Sequence, residues 1–256
     1  MRSGRALHIC EHIFNLVVAV LLLGAALFAG YSLWDNEQVY AAASGVRDSL
    51  LSLRPQEGAD AGPSFDELRK INADVVGWIV LDGTKIDYPV VQGADELEYL
   101  NKDVYGDYSL AGSIFLSTQC SSDFTDAYSL IYGHHMAESM MFGDLDRYLD
   151  ADFFSQNSSG SLITPDAAYG LEVFAALTVT SSDEAIFSPT SWKKDCSGAV
   201  AAVAGRAAHI REDVAEKIES SPGEERIVAL TTCSSEGTQA RTVVLARLVP
   251  QGDQDA

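Results

Sequence analysis

The sequence predicts a mostly β domain, an antiparallel barrel of short strands, preceded by one transmembrane helix and interrupted by a helix in a long inter-strand excursion. Three observations lead there. Short runs of β-branched and aromatic residues recur between turn signals from Gly77 to Val249, with no strand–helix–strand rhythm. Helical spacing is confined to the amino-terminal part, a stretch around Met140 to Tyr148, and a longer one from about Ser191 to Ile218. Finally, Ile13 to Leu33 is a nearly uncharged apolar run, long enough at about 1.5 Å per residue to cross a hydrocarbon core.

Taken in order, residues 1–12 precede the apolar run and 13–33 form the expected signal anchor. Arg2 and Arg5 lie before it and Asp35 and Glu37 after it, so the bias in basic residues places the amino terminus in the cytoplasm and the rest of the chain outside. The competing reading is a cleaved signal peptide with a small-residue site at Ala41-Ala42-Ala43. The length of the run and the charged stretch between disfavour it. Residues 34–63 read as a membrane-proximal helix, with Val39, Val46, Leu50 and Leu53 at helical spacing, and then a linker from Pro55 to Pro63. Ser64 before Phe65-Asp66-Glu67-Leu68 has the serine cap and acidic first turn of a helix start, and the domain is expected over 64–250 with a tail at 251–256.

Within that domain, Trp78 to Leu81 and Ile86 to Val91 read as two strands joined at Asp82-Gly83. Further strands are expected at Gly112 to Leu116, Tyr128 to Tyr132, Gly160 to Thr164, Tyr169 to Thr180, Arg226 to Thr232 and Arg241 to Val249.

A formal charge of -20 and an acidic pI near 4.4 exclude DNA and RNA as partners, because such interfaces need clustered Lys and Arg. Four cysteines, at positions 10, 120, 196 and 233, are too few for a disulfide-stapled scaffold. Two readings stand for Cys120 and Cys196: a disulfide, or two inert buried thiols. Cys10 stands beside the anchor, where juxtamembrane cysteines are sites of lipidation.

Cys233 ends the apolar run Ile227 to Thr232 and leads into the polar Ser234-Ser235-Glu236-Gly237, so it sits at a strand end beside a loop. Taken alone, a buried apolar cysteine is its commoner fate. Arg241 opens the next strand, where a hairpin returns its five fixed donors toward the thiol; an ordinary solvated charge is the alternative. His134 and His135 follow Leu130-Ile131-Tyr132-Gly133, which puts an imidazole at a strand mouth, and a cysteine nucleophile needs such an acid–base partner. A metal site is disfavoured, since no other Cys or His stands at zinc-like spacing, and no cofactor is expected.

Gly77-Trp78-Ile79, Leu81-Asp82-Gly83-Thr84, Ile86-Asp87-Tyr88-Pro89-Val90-Val91-Gln92-Gly93, Tyr99-Leu100, Gly112-Ser113-Ile114-Phe115-Leu116, Tyr132-Gly133-His134-His135-Met136 and Leu230-Thr231-Thr232-Cys233 together resemble class B sortases. The likeness runs in order over about Ser64 to Val249. It implies a sortase-type closed β-barrel with amino-terminal helices and a helix inserted between about Thr180 and Arg226. It implies further that Cys233 is the nucleophile, that His134 is the acid that protonates the leaving amine, and that Arg241 stabilises the oxyanion. His135 is then a structural neighbour. Leu100, Thr231 and Ser181 are implied substrate contacts. The sequence departs from the family pattern at Glu96, where a substrate-contacting asparagine is familiar, and at Ala185, where a loop aromatic is.

The expected activity is therefore that of a transpeptidase on the outer face of a Gram-positive cell. It cleaves exported proteins after the threonine of a carboxy-terminal sorting signal, NPxTx- or LPxTG-like, and joins them to a peptidoglycan-precursor or pilin amine. Two other classes are weighed against it. A non-catalytic cell-wall-binding domain on the same barrel is allowed because a fold does not set a function, but it leaves Cys233, His134 and Arg241 together unexplained. A papain-like hydrolase needs the cysteine before the histidine, the reverse of the order here.

Overall fold

The computed structural model describes residues 2–55, 61–233 and 240–251, with side chains from Glu11 onward except 61–64 and 233. The core of the expected linker at 56–60, the polar loop 234–239 after Cys233 and the tail 252–256 lie outside the described residues. The chain divides into two compact units, Met1–Ala42 and Ala43–Ala256.

The first unit is helical. It lies within α1 (Arg2–Leu51), whose apolar side chains between Ile13 and Leu33 are exposed. Glu11–Leu51 is long and apolar enough to cross a membrane.

The second unit begins with the last turns of α1, where Leu50 is buried with Phe65, Leu68, Trp78 and Tyr99. Next comes α2 (Ala61–Ile71), which starts three residues before the expected Ser64 cap because Pro63 is tolerated in a first turn. The strands follow: β1 (Val75–Leu81), β2 (Asp87–Val91), β3 (Ile114–Leu116) and β4 (Tyr128–His134). After a 3-10 segment at Gly143–Leu149 come α3 (Ala151–Gln156), β5 (Ser159–Ile163), β6 (Ala168–Thr180) and α4 (Glu184–Phe187). The chain continues through α5 (Ser197–Ala204), β7 (His209–Ile210), α6 (Glu212–Glu219), β8 (Ile227–Cys233) and β9 (Ala240–Pro250).

The strands run in the order β5-β1-β2-β3-β4-β8-β9-β6, and the pairing of β5 with β6 closes the ring into an eight-stranded barrel. Short β7 adds to β6 through Ala175 and Ala176. Trp78, Ile79, Leu130, Ile131, Phe174, Leu177, Leu230 and Val244 have no exposed surface. Trp78 is buried without loss because its Nε1 donates to Asp87 Oδ1 at 2.6 Å.

The barrel differs from the expectation in two respects. It is not wholly antiparallel: β2 pairs parallel with β3, and β4 with β8. Parallel neighbours need long crossovers, and here these carry the loop 92–113 and the whole stretch from His135 to Arg226. The excursion after β6, in turn, is not one long helix. Ala208 N donates to Ala176 O and Arg211 N to Phe174 O, and these bonds hold β7 extended between two short helices.

Candidate active site

The parallel pairing of β4 with β8 sets the site. Both strands are apolar, and their ladder runs in one register from Tyr128–Ile227 to His134–Cys233. His134 and the Cys233 backbone therefore occupy neighbouring positions on adjacent strands, which lie about 4.8 Å apart. On the other side, β8 pairs antiparallel with β9 from Ile227–Arg247 to Thr231–Val243. Carried two positions further, that register sets Arg241 across from Cys233. His134 and Cys233, 99 residues apart in sequence, thus stand side by side on β4 and β8, and Arg241 lies at the start of β9, the strand that flanks β8.

Local packing explains why His134 holds its place. The imidazole is buried, and its Nε2 lies 2.6 Å from the carbonyl oxygen of Leu100. A carbonyl only accepts, so Nε2 carries the hydrogen and Nδ1 is left for proton exchange. Two glycines make this possible. Gly112 has φ +59°, and a Cβ there would meet Leu100 O at 2.4 Å and His134 Cδ2 at 3.0 Å. At Gly133 a Cβ would meet Ile114 Cδ1 at 2.4 Å and the Phe142 ring at 2.8 Å.

Arg241 is half-buried and pairs through its backbone with Val179 of β6. Among the described residues, its Nη1 is buried and has no hydrogen-bond partner. A buried donor left unmade costs about 1–3 kcal/mol, so this nitrogen carries unused hydrogen-bonding capacity at the start of β9.

His135 is turned elsewhere: its Nε2 lies 2.9 Å from Asp146 Oδ2, and both groups are half-exposed. Of the implied substrate contacts, Thr231 is fully buried on β8, Leu100 is partly buried and offers its carbonyl to His134, and Ser181 is exposed just beyond β6. Glu96 is occupied by the loop that follows β3, where its Oε1 accepts from Ser117 Oγ at 2.7 Å, Thr118 Oγ1 at 2.8 Å and Thr118 N at 2.9 Å. Ala185 lies on α4, where its carbonyl accepts from Trp192 Nε1 at 3.1 Å. No local pattern singles out Asp146, which reads in the sequence as one more polar position in a helical stretch.

Cys120 and Cys196 are free thiols, both buried, so the disulfide reading is replaced by the other one. Burial pushes the Cys120 thiol up to about 11 and the Cys196 thiol up to about 12, which leaves both protonated and unreactive near neutrality.

A family model, Sortase domain, matches residues 79–249. Sortase B of Staphylococcus aureus (strain NCTC 8325 / PS 47) is 29% identical over 97% of this chain and 99% of its own length. A crystal structure of sortase B from B. anthracis in complex with AAEK1 superposes with a TM-score of 0.71 at 28% identity, covering 84% of this chain and 99% of the other. A Streptococcus pyogenes class B sortase involved in pilus biogenesis gives a TM-score of 0.64 at 36% identity, over 72% and 97% of the two chains.

Proposed function

The chain belongs to the sortase family, as a class B cysteine transpeptidase, and from that premise we propose that it anchors itself by residues 13–33 and acts outside the cell on sorting signals. In this reading residues 1–12 are cytoplasmic, 34–63 connect the anchor to the enzyme, 64–250 form the catalytic domain, and 251–256 are a tail. The substrates are exported proteins with a carboxy-terminal NPxTx- or LPxTG-like signal.

The Cys233 thiolate attacks the threonine carbonyl carbon, and the electron pair moves onto oxygen, where Arg241 meets it. As the tetrahedral intermediate collapses, the C–N bond breaks and His134 delivers a proton to the leaving amine. The thioester remains on Cys233. An incoming amine then attacks the same carbon, gives a proton to His134, and expels the thiolate as the new amide forms. Leu100, Thr231 and Ser181 contact the signal. Glu96 and Ala185 depart from the familiar pattern and so bear on which signal is preferred.

The observation that supports this reading is the register that sets His134 beside Cys233 on adjacent strands, with a buried Arg241 nitrogen that has no partner among the described residues on the strand flanking them. The test is mass spectrometry of the full chain in detergent, mixed with NPxTx and LPxTG-type peptides and with either a lysine-bearing or a peptidoglycan-type amine. A Cys233 thioester with cleavage after threonine is expected, and the amine that resolves it separates pilin from wall as acceptor. His134→Ala abolishes the adduct while His135→Ala slows it without abolishing it; equal loss at both would undo the assignment of the acid. No adduct with any peptide, despite a reduced Cys233, would favour a binding domain on the same barrel.

A further inference from the structure

Side chains alternate along a strand, so the residue next to each member of the site faces away from it. Three such neighbours form a linked set. Asp146, on the 3-10 segment Gly143–Leu149, accepts from the Thr242 hydroxyl through Oδ1 and holds His135 Nε2 at 2.9 Å through Oδ2. Thr242 in turn donates its backbone N–H to Thr232 Oγ1 at 3.1 Å. His135 follows His134, Thr242 follows Arg241, and Thr232 precedes Cys233. One carboxylate therefore connects the ends of all three strands that carry the site.

The link stands at the seam between β8 and β9, whose far sides are held by the sheet: Cys233 pairs with His134 on β4, and Arg241 with Val179 on β6. Across that seam the β8–β9 ladder runs from Ile227–Arg247 to Thr231–Val243, and next to it Thr242 N donates to Thr232 Oγ1. A seam between two strands opens locally at lower cost than the whole sheet, and small shifts across it separate residues on its two sides. A drift of about 1 Å between reacting groups can lower a rate about a hundredfold.

We propose that Asp146 is a positioning residue: its carboxylate pins the end of β4 to the start of β9, and through Thr242 to the end of β8, so that the three strand ends keep a common register. The inference rests on His134, Cys233 and Arg241 being the reaction centre. Since Asp146 and His135 are half-exposed, their pairing adds little to global stability, and the effect of losing it falls on geometry.

The experiment uses the full chain in detergent and compares Asp146→Ala, Asp146→Asn and Thr242→Val with the wild type. Measured are kcat and KM for thioester formation, the unfolding midpoint, and hydrogen exchange in peptides spanning 227–233 and 240–245. Asp146→Ala is expected to lower kcat by about ten- to a hundredfold with KM within about twofold and the midpoint little changed. Exchange should accelerate only at the ends of β8 and β9. Asp146→Asn keeps an acceptor for Thr242 and restores most of the rate, and Thr242→Val added to Asp146→Ala costs nothing more. Unchanged kcat and exchange in Asp146→Ala would overturn the proposal. So would a fall in kcat that tracks a large fall in the midpoint and that Asp146→Asn does not restore. If the wild type itself forms no thioester, the functional reading fails, while exchange at the strand ends still decides whether Asp146 braces them.

Discussion

The two ends of β9 each carry an arginine, and they are treated in opposite ways. Arg247, near the carboxyl end, is saturated: Nε and Nη2 donate to the two oxygens of Glu225 at 2.7 and 2.9 Å, and Nη1 donates to Glu172 at 2.9 Å. These hydrogen bonds raise its pKa above the usual arginine value. Arg241, near the other end, has a buried Nη1 with no partner among the described residues. A paired charge at one end of the strand holds the barrel together, while an unpaired donor at the other is what the proposed oxyanion role requires. The thiols divide in the same way. Cys196 is buried at the Arg247 end, with its Sγ 3.5 Å from the Glu225 carbonyl, whereas Cys233 stands at the strand end level with His134.

The largest effect expected from this contrast is at Arg241. Arg241→Ala should lower kcat for thioester formation about a hundred- to a thousandfold with little loss of stability, and lysine should rescue poorly because it lacks the planar fork. A rate within threefold of wild type would remove the contrast. Next, iodoacetamide at about pH 8 should modify Cys233 in the native chain at least a hundredfold faster than Cys120 or Cys196, which react fully only after unfolding. Peptide mapping reads this directly, and fast native labelling of Cys196 would contradict its burial.

At the opposite end, Arg247→Ala leaves the mostly buried Glu225 without its partner and should destabilise the fold by about 2 kcal/mol in denaturant titrations. The thioester rate per folded molecule should hold, and a selective loss of rate would mean that the two ends are coupled. The smallest effect concerns Asp183, whose carboxyl lies below the ordinary carboxylate range, first through its hydrogen bond from Arg206. Its contribution is present above the unfolded value of about 3.9 and is lost as pH falls through the lower folded value. Because Arg206 is partly exposed, the gain is about half a kcal/mol. The stability gap between wild type and Asp183→Asn should therefore be constant near neutrality and close below about pH 4; a gap that widens there would reverse the sign.

Local pattern made much of this legible. Each strand announced itself as an apolar run between turn residues, and each observed strand from β1 to β9, apart from two-residue β7, overlaps a run read from the sequence. Cys233, His134 and Arg241 were legible as strand-end residues of reactive type. Less was legible where backbone partners decide. The excursion after β6 has helical spacing from about Ser191 to Ile218, yet β6 offers it an open edge at Ala176 and Phe174, and edge pairing outweighs propensity there. The 140–148 stretch has similar spacing but becomes a 3-10 segment, entered through Glu138, Ser139 and Met141 at positive φ.

The sequence by itself determined the apolar span near the amino terminus, the β class of the domain, and which side chains were available for chemistry. Those properties follow from composition and short-range period. Only the tertiary structure decided that β4 lies parallel to β8, that His134 therefore stands beside Cys233, and that Asp146 reaches both His135 and Thr242. The pairing of β4 with β8 and the contact of Asp146 with Thr242 join segments separated by about a hundred residues, and they follow from how whole strands bury one face against the core, which no local window contains.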